Sequence, residues 1–423
     1  MNDVHTWGER RRWTALVYVA GVGLLIVALG TSTNGPDTPV AAAVDTVPMY
    51  ELDPSWPKPF PNNWTLGETW GVAVDSRDHP WILHSTNQHD RDIFDRVAQE
   101  GKKLAPPVIE LDAQGTLIQA WGGPGTGYGW PEGQDWAEHG LWIDRNDDVW
   151  VAGNGHVVLK LTRTGKFLLQ IGKLWHTGGS YHKTLLGKPT TMGTDKDARE
   201  VYIGDGYMNQ RVAVFDAKTG AFKRQFGAYG KPIDDAAGGK EDCGEAHEVK
   251  CAYTQRNTER AATVDPPPGH MTPVHCARVS NDGFVYVCDR YHNRLQVFRT
   301  DGTYVREVFL DKQGEAPWEW DFKAQQYIKA TKPGFGIGSV SNVTLSRDPE
   351  NRYLFVGGSP SYRRIYILER KTLRLLDTID TIGSQHELAV DSKLNIYTAG
   401  GRQRDARKYV FKGMRSLNAP RSR

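Results

Sequence analysis

Six segments of the chain repeat one pattern, an alternating strand, a polar turn and a second strand, and this repeat restricts the fold more than any other feature. The segments are WGVAVDSRDHPWILHS, HGLWIDRNDDVWVAGN, TTMGTDKDAREVYIGDG, HCARVSNDGFVYVCDR, SNVTLSRDPENRYLFVGG and HELAVDSKLNIYTAGG. Six four-stranded units at spacings of about 45 to 85 residues predict an all-β chain folded as a six-bladed β-propeller, with the wider spacings caused by insertions. A closed ring uses the length of this chain as a single domain, expected over residues 47–413.

Registered on the turn, the equivalent strand-opening positions are Trp70, His139, Thr190, His275, Ser341 and His386. Histidine occupies every second unit. In a propeller the first strand of each blade lines the central channel, so residues from blades two, four and six converge near the axis at roughly 120° intervals. Three neutral imidazoles facing one point make an open-sided zinc site that leaves a position for water or substrate. His84, His89, His247, His270 and His292 show no such register and read as surface or loop residues.

The formal net charge is +2, which gives no reason to expect a nucleic-acid partner; a small-molecule or peptide ligand is expected instead. Redox cofactors are disfavoured, for the chain has neither a C-x-x-C-H haem motif nor a glycine fingerprint for dinucleotides after a strand. Residues 14–30 form an uncharged apolar run behind Arg10, Arg11 and Arg12, which places residues 1–13 in the cytoplasm and exports the rest, as a membrane anchor or a cleaved signal segment. Residues 31–46 read as a flexible tether and 414–423 as a basic tail. In an exported chain cysteines can pair. Cys243 and Cys251 are expected to bridge within a polar insertion; Cys276 and Cys288 flank a turn and are either a cross-strand disulfide or two buried thiols.

Insertions fall at residues 86–104, 227–272 and 311–337, the last two expected over one mouth of the channel. Asp216 and Asp301 carry the turn chemistry expected between third and fourth strands. Blade six supplies only three strands after His386, and the alternating segment VPMYELD at residues 47–53 is expected to add the fourth and close the ring. Ahead of His139, Tyr128, Trp130 and Trp136 are interleaved with glycine, either as a wall over the site or as filler between blades.

The repeats HGLWIDRNDDVWV, EVYIGDGYMNQRVAVF, VHCARVSNDGFVYVCDRYHNRLQVF and QHELAVDSKLNIYTAG resemble the NHL-repeat propeller of peptidyl-α-hydroxyglycine α-amidating lyases. The resemblance covers most of residues 65–412 and extends in particular to exported bacterial relatives of that lyase, which share openings like DPSWPKPFPNNW and the stretch AWGGPG. It implies cleavage of a C-terminal α-hydroxyglycine into an amide and glyoxylate, zinc on His139, His275 and His386, and a catalytic tyrosine at Tyr207 within the turn DGYMNQR. It further implies an active-site arginine at Arg290, and a structural calcium on the carbonyls of Val72 and Leu141 and the side chain of Glu387. Two positions depart from the family's pattern. Ser85 stands where the family has an arginine that engages substrate, a loss that Arg91 or Arg290 would have to offset, and Glu387 replaces an aspartate.

The expected function is therefore that of an exported zinc-dependent lyase acting on a small hydroxylated or carboxylated substrate. In it Tyr207 serves as base once nearby positive charge has lowered its ordinary pKa of about 10. Two alternatives remain: a membrane-tethered propeller that binds a peptide, protein or glycan, and another hydrolase or lyase built on the same three histidines.

Overall fold

The computed structural model describes residues 45–86, 91–130, 138–233, 269–312, 315–321, 326–335, 338–358 and 362–418. Residues 14–30, Cys243, Cys251, His89, His247 and Trp136 lie outside this set, and so do the expectations placed on them. No helix among the described residues is long and apolar enough to cross a membrane.

Six four-stranded antiparallel sheets are present. Their innermost strands are Thr69–Val74, Glu138–Ile143, Pro189–Thr194, Val274–Val279, Asn342–Leu345 and Glu387–Val390, each in contact with the next around the ring. The reason lies in the apolar pattern. In blade two the strands Val149–Gly153 and Val157–Leu161 are buried at every residue, because a propeller blade is covered on both faces. The outer strand Phe167–Gly172 is mostly half-buried. One apolar cluster fills each gap between neighbouring blades: Trp81, Leu83, Leu141 and Val151 between blades one and two, for example, and Cys276, Tyr286, Val343 and Leu354 between blades four and five.

The ring closes as the sequence suggested. Thr46–Leu52 pairs antiparallel with Ala406–Ser416 as the outer strand of blade six, with Val47 opposite Arg415 and Tyr50 opposite Phe411. The N-terminal strand thus completes the fourth strand of blade six and ties the start of the propeller to its end. Between blades four and five the hairpin Glu315–Asp321 and Gln326–Phe335 occupies the expected insertion, and the helix Arg91–Gln99 occupies that of blade one.

A polar code holds the turns. Asp75, Asp144 and Asp391 each accept a hydrogen bond from an aromatic side chain six positions on: Trp81 Nε1 at 3.1 Å, Trp150 Nε1 at 3.1 Å and the Tyr397 hydroxyl at 3.1 Å. Asp216 and Asp301 take backbone N–H groups within their own turns, at 2.8 Å from Thr219 and 2.8 Å from Thr303. Cys276 and Cys288 lie directly opposite in the ladder and form a disulfide, which decides between the two sequence readings.

One expectation on histidine is corrected, that of His84, while His292 lies in a loop as expected and is nonetheless buried. His84 is fully buried: its Nδ1 accepts the Gly67 N–H at 3.1 Å and its Nε2 lies 3.0 Å from the Pro106 carbonyl oxygen. Desolvation pushes its pKa down to about 4. His292 is also buried, with Nδ1 2.7 Å from Asp289 Oδ2. Lack of register with the repeat told nothing about burial, since the His84 ring serves backbone groups and the His292 ring a carboxylate in the interior.

Candidate metal centre

Two histidines of the alternate-blade set, His139 and His275, open their strands at a point where the ladder shifts, and His386 stands just ahead of a regular ladder. Glu138 pairs with Gly153 and Gly140 with Ala152, which leaves His139 as the extra residue of a β-bulge, and Val274 and Cys276 bracket His275 in the same way. His386 gives its N–H to the Ala399 carbonyl just before the ladder starts at Glu387. A bulge turns one side chain out of the sheet's alternation. Here it aims the His139 and His275 imidazoles at the axis, where alternation would have sent them between blades.

The three rings meet there. Centroid separations are 5.1 Å for His139 and His275, 4.7 Å for His139 and His386, and 5.0 Å for His275 and His386, so they form a nearly equilateral triangle. All three are buried, and one nitrogen from each lies within 4.8 Å of the others. The other nitrogen is engaged by the repeat itself. His275 Nδ1 donates to the Ser341 carbonyl at 2.7 Å and His386 Nδ1 to the Trp70 carbonyl at 2.7 Å. Ser341 and Trp70 are the strand-opening positions of the next blade in each case. The corresponding backbone for His139 is that of Thr190, which favours its protonated form, although Nδ1 falls short of a regular hydrogen bond. An Nδ1–H held by a carbonyl leaves Nε2 as a lone pair facing the axis, the arrangement of a metal-ligating histidine.

Desolvation first, then His386 and Arg290, holds His139 well below its ordinary range; desolvation, then Arg290 and the other two imidazoles, does the same for His275. His386 is pushed down to about 3 by desolvation and then Arg290. All three are neutral and able to ligate at physiological pH. His386 Nε2 is buried without a hydrogen-bond partner, and a divalent metal fits this donor set: three neutral nitrogens, one orphaned, and no carboxylate in the triad.

Tyr207 stands over the triangle. Its hydroxyl lies 3.0 Å from His139 Nε2, 3.1 Å from His275 Nε2 and 3.3 Å from an Arg290 terminal nitrogen. Burial pushes the phenol up to about 12, the reverse of the lowering expected from the sequence, because desolvation outweighs the opposing charges of Arg290 and Arg402. The turn that carries Tyr207 is fixed from beneath by a buried pair: Arg211 Nε donates to Asp205 Oδ2 at 2.8 Å. Gly206 permits the approach to blade four, since a Cβ there would come 2.1 Å from the Val274 carbonyl oxygen. Blade four repeats the device. Arg294 Nε donates to Asp289 Oδ2 at 2.9 Å, and Arg290 begins the short 3-10 turn between them.

Sequence reasoning missed two neighbours of the site. Trp70, the blade-one equivalent of the histidines, stacks on His139 at 6.1 Å and meets His386 edge-on at 5.0 Å. Arg402 follows Gly401, whose backbone lies so close that an added Cβ would touch His386 Cβ at 3.4 Å. Trp70 was legible as a repeat position; Arg402 sits in the turn between the second and third strands of blade six, the counterpart of the turns that carry Tyr207 and Arg290. Trp130 is buried between blades one and two and Tyr128 stacks on Phe167 at 5.2 Å, so these aromatics are filler and not a wall over the triad. Ser85 donates to the buried Glu138 carboxylate at 3.2 Å. The side chain of Arg91 lies outside the described part of the structure.

The calcium expectation does not fit the residues present. Glu387 Oε1 lies 2.5 Å from an Arg278 terminal nitrogen, and Oε2 faces the Leu141 N–H at 3.4 Å. The carboxylate's partners are a guanidinium and backbone donors. Calcium takes about six to eight oxygen ligands, and here it would have to share its one acidic ligand with a fixed cation.

Comparison with known proteins agrees with the fold. The NHL repeat family matches residues 274–298, in blade four. The chain is 28% identical over 199 residues to peptidyl-alpha-hydroxyglycine alpha-amidating lyase 2 of Drosophila melanogaster, covering 45% of this chain and 45% of that protein. It is 25% identical over 253 residues to the mouse peptidyl-glycine alpha-amidating monooxygenase, covering 57% of this chain and 22% of that one. A probable peptidyl-alpha-hydroxyglycine alpha-amidating lyase of Caenorhabditis elegans is 26% identical over 191 residues, covering 43% and 50%. The matches span half or less of these relatives' own lengths. The chain resembles an NHL-repeat propeller of the amidating-lyase kind.

Proposed function

We propose that the protein is an exported, zinc-dependent lyase that breaks a carbon–nitrogen bond in a substrate bearing a hydroxyl and a carboxylate on the same carbon, as an α-hydroxyglycine does. The observation that carries this reading is the Tyr207 hydroxyl, buried within 3.1 Å of two converging imidazole nitrogens and 3.3 Å from Arg290. Zinc held by His139, His275 and His386 supplies a Lewis acid for a substrate oxygen.

The chain's own groups account for the rest. Arg290 and Arg402 bring positive charge to the rim of the site, where a carboxylate would be bound and oriented. The same two cations oppose the burial that raises the phenol, and so help Tyr207 to act as a base. Once ionised to the phenolate, the Tyr207 oxygen takes the substrate hydroxyl proton, the carbon–oxygen bond gains double-bond character as the carbon–nitrogen bond breaks, and the resulting phenol returns the proton to the departing nitrogen. Products are an aldehyde acid and an amide. In this reading Arg402 supplies, from blade six, the positive charge that Ser85 does not.

Residues 14–30 would tether the enzyme to the outer face of a membrane, or be removed during export, with the propeller outside the cytoplasm in either case. The test is elemental mass spectrometry on the purified chain beside a variant with His139, His275 and His386 changed to Ala, followed by an assay of glyoxylate release from α-hydroxyglycine compounds. One zinc per chain, lost in the variant, together with glyoxylate release is the expected result. Zinc without glyoxylate release would favour a different hydrolase or lyase on the same ligands, a reading to which the Ser85–Glu138 hydrogen bond lends weight. A chain without stoichiometric metal would leave a propeller that acts by binding.

A further inference from the structure

Directly below the histidines the channel holds a buried ion pair that the proposed reaction does not use. Glu387 follows His386 on blade six, and Arg278 lies shortly past His275 on blade four. Their side chains are 0% and 2% exposed. Arg278 spans the channel. One terminal nitrogen reaches Glu387 Oε1 at 2.5 Å, and the other donates to Thr191 Oγ1 at 3.0 Å and to the Met192 carbonyl on blade three. Its guanidinium lies 5.0 Å from the Trp142 ring centroid, on blade two. The second carboxylate oxygen meets the Leu141 N–H at 3.4 Å, also on blade two, and the Val72 N–H of blade one acts on Glu387 in the same sense.

This layer joins the same three strands that carry His139, His275 and His386. Its members sit one to three residues past the histidines, so a change in their spacing is passed to the triad along short, ladder-bonded strand segments. It also occupies the place where the family resemblance implies calcium, and it brings its own positive charge. A single pair of charges removed from water gains little net stability, but it fixes geometry where each partner has one position to take.

We propose that the Arg278–Glu387 pair replaces a channel cation and serves as the strut that sets the spacing of the three histidine strands, which makes the fold and the metal affinity of the triad independent of calcium. The inference rests on the triad as a metal site and not on the lyase reaction, so its test reads unfolding and metal binding, with no turnover needed. Full-length protein stripped of transition metal is unfolded thermally in chelator and in millimolar calcium, and cobalt is titrated into the triad and followed by its visible absorption bands.

Wild type is expected to unfold at one temperature in both conditions. Arg278→Met leaves a buried carboxylate without its cation. It is expected to unfold several degrees lower, to regain part of that loss on addition of calcium, and to bind cobalt about tenfold or more weakly, as loss of outer-shell support does in other metal sites. Should that variant fail to fold, the double variant Arg278→Met with Glu387→Gln removes both charges and is expected to fold, still with weakened cobalt binding and altered bands. Calcium bound one-to-one by wild type, or raising its unfolding temperature, overturns the replacement. A double variant with wild-type cobalt affinity and spectrum, or a wild type that binds no cobalt, overturns the strut.

Discussion

Replacing Arg211 with Met tests whether the Tyr207 turn is held from below as described. The guanidinium is fully buried, and every nitrogen is used: Nε to Asp205 Oδ2 at 2.8 Å, one terminal nitrogen shared among the Ser180 and His182 carbonyls at 2.7 Å each and Gln225 Oε1 at 2.6 Å, the other to the Leu185 carbonyl at 2.8 Å. Methionine leaves Asp205 in the interior without a cation, held by the Gly187 N–H at 2.6 Å and Asn209 Nδ2 at 2.7 Å. Breaking a buried pair from one side costs about 3–5 kcal/mol. At roughly 2 cal/mol/K of unfolding entropy per residue, a propeller of this size loses about 1.3 °C per kcal/mol, so the unfolding temperature should fall by about 4–7 °C. Urea unfolding and calorimetry measure it. Adding Asp205→Leu to Arg211→Met should recover part of the loss, since the stranded charge is then gone. A single variant within about 1 kcal/mol of wild type would refute the account, because it would mean that water or a rearranged loop satisfies Asp205 and its neighbours.

Three further outcomes are expected. For the metal-free protein, stability should fall on acidification below neutral pH. His84 has a folded pKa of about 4 against an ordinary 6.5, so the unfolded chain binds the extra proton; its share of stability is intact above about 6.5, declines between about 6.5 and 4 by about 3 kcal/mol, and is constant below, with His386 adding a loss of the same sign. A His84→Gln variant that keeps the full slope in urea titrations at several pH values would contradict this. A chain beginning at residue 53 should not form a cooperatively unfolding propeller while one beginning at residue 45 does, because Thr46–Leu52 is the outer strand of blade six and buries Val47 completely; circular dichroism melts decide it. Arg402→Gln should raise KM for a carboxylate-bearing substrate about tenfold or more with a smaller change in kcat, since a charged hydrogen bond contributes about 1.5–3 kcal/mol; an unchanged KM would remove Arg402 from the site.

The parts legible in the sequence were those that the repeat writes more than once. The blades, their inner strands, the strap at residues 47–53 and the alternate histidines follow from period and register, and the structure places His139, His275, His386, Tyr207 and Arg290 together. The repeat could not show the bulges that aim the histidines, because a bulge is a relation between two strands, and one extra residue in either one looks like ordinary spacing. Nor could it show which buried charges meet. Arg278 reads as one more residue of a strand, and only the closed ring brings it across the channel to Glu387. The burial of His84 and His292 was hidden for another reason: neither holds a strand-opening position, and their partners, the Gly67 N–H, the Pro106 carbonyl and Asp289, become visible only when loops fold back. The same physics links these cases. A propeller interior is lined by unpaired backbone edges of inner strands, and polar side chains are drawn there by groups that must be satisfied. In one layer the edge supplies carbonyls to the Nδ1 atoms of His275 and His386 and turns their Nε2 lone pairs to the axis; in the next it supplies N–H groups to Glu387 and makes a carboxylate the natural occupant, with Arg278 to balance it. The order of the two layers along each inner strand is therefore what separates a metal centre from an ion pair within a few ångströms of the same axis.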